Sequence, residues 1–162
     1  MKKTEKKVVS LSELLEIRKQ WQEANSKVVF TNGCFDILHL GHIDYLEKSR
    51  AKGDKLIVAL NSDDSVRRLK GAERPINDEQ IRGRLMAALQ FVDAVVYFEQ
   101  DTPKEIIETL KPDILIKGDD YLAENIVGSD FVLANGGRVE TIPLVKGFST
   151  TNIIEKIRSL NK

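Results

Sequence analysis

The chain has 162 residues, 41% apolar and 31% charged, the balance of a globular domain with room for a real core. Lysine plus arginine equals aspartate plus glutamate at 25 each, so no basic excess points to nucleic acid as a partner. The single cysteine, Cys34, excludes an intrachain disulfide framework, and no window approaches the roughly 20 apolar residues of a membrane span.

No apolar stretch of signal-peptide length follows the basic opening MKKTEKKVVS, so the expectation is a cytoplasmic protein with no membrane partner. Residues 1–162 read as one domain, with 1–9 frayed and an N-terminal helical segment over 10–25. Ser10-Leu11-Ser12-Glu13 fits a capping box, and Leu11, Leu14, Leu15 and Arg18 space helically, predicting a helix to about Gln22. Lys27 to Thr31 is β-branched and predicts a strand, which Asn32-Gly33 should break. Gly41 to Lys52 predicts a helix capped by Gly53. Lys55 to Leu60 is a continuous apolar run, the pattern of a strand covered on both faces.

Asp63 or Asp64 can cap a short helix through Val66 and Leu69, and a loop over 70–77 separates it from a helix capped by Asp78 and running to about Leu89. Ala94 to Phe98 reads as a strand. Thr102-Pro103-Lys104-Glu105 combines a capping box with proline at the first helical position, and that helix should end near Lys111-Pro112. Ile114 to Lys117 is the fourth strand, Ser129 to Ala134 a helix stopped by Asn135-Gly136-Gly137, Arg138 to Leu144 the fifth strand, and Thr151 to Leu160 the last helix. This alternation predicts an α/β fold with a doubly wound, mostly parallel five-stranded sheet. Ligands of such sheets bind beyond the carboxyl ends of the strands, here residues 31–42, 61–70, 99–102, 117–121 and 145–152.

The chain's two histidines, His39 and His42, fall in the first of these segments and share a helix face three residues apart. A helix N-terminus suits phosphate, and Gly41 allows a close backbone approach. A zinc site is the competing reading, but no nearby cysteine or third histidine supplies further ligands. Ser149-Thr150-Thr151, after Gly147 and at the start of the last helix, forms a second anion cradle that can also cap the helix. Arg67, Arg68 and Lys70 form a basic patch, of which Lys70 is the favoured phosphate ligand; Arg74, Arg82 and Arg84 have weaker claims. Asp36 can meet substrate hydroxyls or organise its turn. Cys34 reads as a small buried hydrophobe without a redox role.

The segment FTNGCFDILHLGH resembles the signature of the HxGH nucleotidylyltransferase superfamily. The further segments VALNSDDSVRRLKG, RPIN, FVDAVVYF, DTP, KPDILIKGDDY and GFSTTNII are similar to its D-glycero-β-D-manno-heptose 1-phosphate adenylyltransferase branch. The resemblance spans roughly residues 27 to 158 and implies a Rossmann-like nucleotidylyltransferase fold. It implies transfer of AMP from ATP to a heptose 1-phosphate, with ADP-heptose and pyrophosphate as products. His39 and His42 are then catalytic. Thr31, Asn32, Gly33, Phe35, Gly41, Gly147, Ser149, Thr150 and Thr151 bind nucleotide. Asp36, Asn61, Lys70, Lys117 and Asp120 bind the acceptor. Mg2+ arrives with the nucleotide, and no protein metal site is expected. The partners are ATP and a sugar 1-phosphate, and the implied assembly is a homodimer. Many relatives carry a fused sugar kinase that is not seen here, so a separate kinase and phosphatase would act upstream, with lipopolysaccharide core or another heptose-containing glycan downstream.

Related cytidylyltransferases carry an RYVD motif where this chain has Gln90-Phe91-Val92-Asp93, and an arginine where it has Lys146. Both differences favour adenine over cytosine. The competing readings are a cytidylyltransferase for a small phospho-alcohol such as glycerol 3-phosphate, and a nucleotide-binding regulator without catalysis. A dinucleotide oxidoreductase lacks its G-x-G-x-x-G turn.

Overall fold

The computed structural model describes residues 3–120, 122 and 125–160. Five strands, β1 (Val28–Gly33), β2 (Lys55–Asn61), β3 (Ala94–Phe98), β4 (Ile114–Gly118) and β5 (Arg138–Ile142), form one sheet in the order β3-β2-β1-β4-β5. Every pairing is parallel. Helices α1 (Leu11–Glu23), α2 (Leu40–Arg50), α3 (Asp63–Lys70), α4 (Glu79–Ala88), α5 (Lys104–Leu110), α6 (Ser129–Ala134) and α7 (Thr150–Leu160) connect and flank the strands.

The period-two geometry of β2 divides its apolar run between two cores. Leu56, Val58 and Leu60 face α2 and α4, packing with Leu46 and Met86. Ile57 and Ala59 face the other way, into the cluster of Leu14, Ile107, Leu110 and Val132 from α1, α5 and α6. The expectation of a strand covered on both faces therefore holds, as does the capping box of α1, where Ser10 and Glu13 bond each other's backbone amides.

Several local expectations give way to tertiary contacts. Asn32-Gly33 does not end β1, because both residues stay in register with Ala59 and Leu60 of β2. Ala51 caps α2, and Gly53 is needed for space, since a Cβ there would lie 2.8 Å from the Lys27 carbonyl oxygen. Ser62, one residue earlier than expected, caps α3 through the Ser65 amide. No side chain caps α5; the Glu105 carboxylate accepts from Gln100 Nε2 instead. β5 ends at Ile142, and the Leu144 amide turns to the Asp119 carboxylate.

The fraying expected for residues 1–9 is not seen in residues 3–9. Thr4–Lys7 form a 3-10 turn, and the Val9 amide bonds the Val95 carbonyl at 3.0 Å. The segment covers the open edge of β3, whose unpaired backbone groups supply its partners. Met1 and Lys2 lie outside the described residues. Among the described residues no helix is long and apolar enough to cross a membrane.

The chain winds from β1 to β2 and β3 on one side, then crosses to β4 and β5 on the other. β1 pairs with β2 over six positions, yet meets β4 only at Val29–Ile114 and Phe30–Leu115. Beyond that point the two strands separate, opening a crevice at the switch in winding direction.

Candidate active site

A cleft of about 620 Å3 lies over this crevice and takes its walls from the segments after β1, β2, β3, β4 and β5. At its centre the rings of His39 and His42 stack, centroids 3.7 Å apart and planes inclined by 22°. Phe35, held at a left-handed φ of 44°, sets its ring edge against His42 with centroids 5.1 Å apart. His39 occupies the cap position of α2 in extended conformation, without a side-chain cap bond. The Leu40 and Gly41 amides open the helix with no carbonyl one turn back to bond. A Cβ on Gly41 would sit 3.1 Å from the His39 ring and 3.3 Å from Phe148 Cβ, so glycine lets both close over the helix start.

Burial, then the neighbouring His39, pushes His42 down to about 4, and burial alone lowers His39. At neutral pH His42 is thus an uncharged imidazole with one N–H donor. The Nδ1 atoms of both histidines and Oδ1 of Asn32 are buried without a hydrogen-bond partner. Three orphaned polar atoms at one spot are what a polar ligand would satisfy.

Across the crevice, Lys117 of β4 donates to the Asn32 carbonyl at 3.1 Å. Burial lowers its ammonium to about 8, against the opposing pull of Asp120. The third element is the start of α7. Ser149 Oγ accepts the Asn152 amide at 3.0 Å, and Ser149, Thr150 and Thr151 line the cleft. Ser149 thus caps the helix from a position that also borders the cleft. The cleft therefore has two helix N-termini, a buried cation and a neutral imidazole pair on its walls, an arrangement fitted to a polyanion.

The cytidylyltransferase-like family model matches residues 30–156, which contain all of these elements. The chain belongs to the cytidylyltransferase-like family. It is 54% identical over 150 residues to the bifunctional protein HldE of Koribacter versatilis, covering 93% of this chain and 31% of that protein. It is 56% identical over 154 residues to the bifunctional protein HldE of Campylobacter jejuni, covering 95% and 32%. The chain thus spans about a third of the length of these relatives. Among solved structures it is similar to a lipopolysaccharide core biosynthesis protein of Thermoplasma volcanium, at 34% identity and TM-score 0.61, covering 76% of this chain and 99% of that one. Pantothenate synthetase of Thermus thermophilus shares the fold, at 17% identity and TM-score 0.61 over 91% of this chain and 67% of that one.

For a cytidylyltransferase-like domain, most residues singled out from sequence line the cleft: Asn32, Gly33, Phe35, Gly41, Asn61, Lys70, Lys117 and Asp120 join the histidines and the Ser-Thr-Thr segment. Tyr121 lies outside the described residues. Three expectations need correction. Thr31 is fully buried and its hydroxyl bonds Tyr45 Oη at 2.7 Å, so its side chain is engaged with the scaffold and does not line the cleft. Gly147 supplies a positive φ of 85° and a carbonyl to Asn152, shaping the turn without lining the cleft. Asp36, expected to bind substrate, has a fully buried side chain whose oxygens accept from the Ile76 and Asn77 amides and from Arg74 Nε at 2.7 Å. Burial pushes its carboxyl up, but the Asn77 and Ile76 amides and the Arg74 guanidinium outweigh that and hold it below the usual range. Asp36 therefore organises the 74–77 loop.

Other cations are likewise accounted for. Arg67 pairs with Asp64, Arg68 with Asp101, and Arg84 bonds Thr4. Arg82 is completely buried and donates to the carbonyls of Cys34, Asn61 and Asn77 and to Asp63. Gln90 precedes β3 at the end of the sheet away from the cleft, where Asp93 bonds the Leu56 amide and Arg50. The difference from RYVD therefore says nothing about the base. Cys34 lines the cleft half-buried and is not a core residue; burial raises its thiol, which stays protonated. Sequence reasoning missed Tyr45, Thr102, Asn125, Leu144 and Phe148 as cleft residues. Tyr45 had a signal, three residues beyond His42 on one helix face. Asn125 had none.

Proposed function

We propose that this chain transfers AMP from ATP to D-glycero-β-D-manno-heptose 1-phosphate, forming ADP-heptose and pyrophosphate. The observation that carries the reading is the stacked, uncharged His39–His42 pair between two helix N-termini, with Lys117 across the crevice. A sugar 1-phosphate is already an anionic nucleophile, since a phosphomonoester loses its second proton near pH ~6. One of its oxygens attacks the α-phosphorus, the bond to the bridging oxygen of the β-phosphate breaks, and the electron pair leaves with pyrophosphate. No general base is required, so the protein's tasks are alignment and charge stabilisation.

His42 donates its N–H to the α-phosphate as charge builds there, and His39 holds the neighbouring phosphate. Ser149, Thr150 and the α7 N-terminus take the β- and γ-phosphates. Lys117 meets the incoming phosphate, with Lys70 on the far wall and Asp120 at the rim for sugar hydroxyls. Among the described residues no group of three or more His, Cys, Asp or Glu side chains could hold a metal. A magnesium ion fits this donor set when phosphate oxygens and water fill most of its shell, with Asp120 among the acidic residues that line the cleft. It would supply charge neutralisation on the triphosphate. The resemblance behind this reading also implies a homodimer.

The test is pyrophosphate release with ATP or CTP against a panel of sugar phosphates and glycerol 3-phosphate. ATP with heptose 1-phosphate should give the highest kcat/KM. Turnover confined to CTP with glycerol 3-phosphate would replace this reading with the cytidylyltransferase one.

A further inference from the structure

Where β1 and β4 separate, two side chains span the gap that backbone pairing leaves. Tyr45 Oη, on α2, bonds Thr31 Oγ1 of β1 at 2.7 Å and donates to the Ile116 carbonyl of β4 at 3.1 Å. Either hydroxyl can be the donor in the first bond. The result is a hydrogen-bonded bridge, Thr31 to Tyr45 to Ile116, across the base of the cleft, which Tyr45 helps to line. One residue further along each strand, Lys117 Nζ reaches the Asn32 carbonyl.

We propose that Tyr45 is a positioning residue: its hydroxyl, with that of Thr31, fixes the separation of β1 and β4 and so the distance between Lys117 on one lip and the Asn32–His42 turn on the other. The inference rests on the functional reading above for its consequence in catalysis. An in-line displacement needs both reactants held to within a few tenths of an ångström, so a rate falls steeply when the two lips drift. Three further features fit the role. Tyr45 shares the α2 face with His42, so one helix carries both the spacer and the reacting contact. Thr31 and Tyr45 are both buried, and both hydroxyls are already engaged within the protein. The backbone ladder between β1 and β4 covers only two positions and cannot set the gap by itself.

The experiment compares Tyr45→Phe, Thr31→Val, their double variant and Thr31→Ser. Each single removal should lower kcat about tenfold or more while KM for ATP moves little, because the triphosphate contacts at α7 stay intact. The double variant should be no worse than the worse single one, since both break one chain. Thr31→Ser keeps the hydroxyl and should recover most of the rate lost in Thr31→Val. A structural role alone would move melting temperature in all of them without this kcat-against-KM split or the serine rescue. Turnover within about twofold of wild type in folded Tyr45→Phe and Thr31→Val overturns the proposal.

A readout on the protein alone separates the two readings. Lys117, faced by Asp120 and Cys34, titrates near 8, and its Nζ signal can be followed by NMR. In Tyr45→Phe and Thr31→Val a loosened gap admits water and the midpoint should rise; an unchanged midpoint in both overturns the proposal. A wild-type chain without turnover on any acceptor would sink the functional reading, while this titration would still decide the role of Tyr45. Should Tyr45→Phe fail to fold, Thr31→Val carries both measurements.

Discussion

His39 and His42 stack with their centroids 3.7 Å apart, and burial together with the neighbouring His39 makes His42 hard to charge. Two cations at that distance would repel, and the buried member is held neutral. In the proposed reaction this keeps an N–H aimed at the α-phosphate without a fixed positive charge that would grip ground state and transition state alike. Replacing His42 with Ala should cut kcat by about a hundredfold or more, the usual cost of one transition-state donor. Pyrophosphate release at saturating ATP checks it. Nucleotide binding without measurable turnover in the wild type, unchanged in His39→Ala, would favour a regulator.

The same burial makes stability depend on pH. His42 titrates at about 4 in the folded chain and at its ordinary 6.5 when unfolded. Between those values the unfolded state holds the extra proton, so stability is complete above about 6.5 and falls as pH drops toward 4. Urea midpoints at pH 7 and pH 5 should differ more for the wild type than for His42→Gln. Equal acid sensitivity in the two proteins would show that His42 is not the titrating group.

Lys117 has the opposite balance of function and stability. Its burial lowers the ammonium from 10.5 to about 8, so between those values the unfolded chain holds the extra proton and stability rises with pH. Below 8 the buried charge is a cost to the fold. Lys117→Met should leave the melting temperature at neutral pH no lower than wild type while abolishing most turnover. In the wild type, kcat/KM should fall above pH about 8 as the free enzyme loses this charge. A profile flat through pH 9 would remove Lys117 from the anion site.

The parallel fold was legible because β2 and its neighbours are unbroken apolar runs between amphipathic helices, a pattern local enough to read. The two histidines and the Ser149–Thr151 turn were legible because helix starts and strand ends are marked in sequence. What was hidden is whether a polar residue beside the site faces the ligand or the scaffold. Asp36 lies in the loop that leads to His39 and Thr31 in the strand before it, yet the folded 74–77 loop claims one and Tyr45 on α2 the other. Both partners are distant in the chain, so neither could be chosen from spacing. Asn32-Gly33 shows the same limit: turn propensity is a small local preference, and pairing with β2 overrode it.

Arg82 is the clearest case of a cation whose role only the fold reveals. Its guanidinium is completely buried, and its partners are three carbonyls and one carboxylate. Those carbonyls belong to Cys34 after the start of the His39 loop, Asn61 at the end of β2 and Asn77 in the loop that Asp36 organises. One side chain thus ties together three segments that wall the cleft. Arg82→Leu keeps the apolar stem but strands the Asp63 carboxylate and the carbonyls, a loss of about 3–5 kcal/mol for a broken buried pair. Arg82→Lys offers one point charge in place of a planar fork and cannot reach all four acceptors, so it should restore only part of the stability. Urea unfolding gives both values. Because Arg82 lines no part of the cleft, KM for ATP should stay near wild type in whatever fraction of Arg82→Lys is folded. A large change in KM with unchanged stability would reassign this arginine to the ligand.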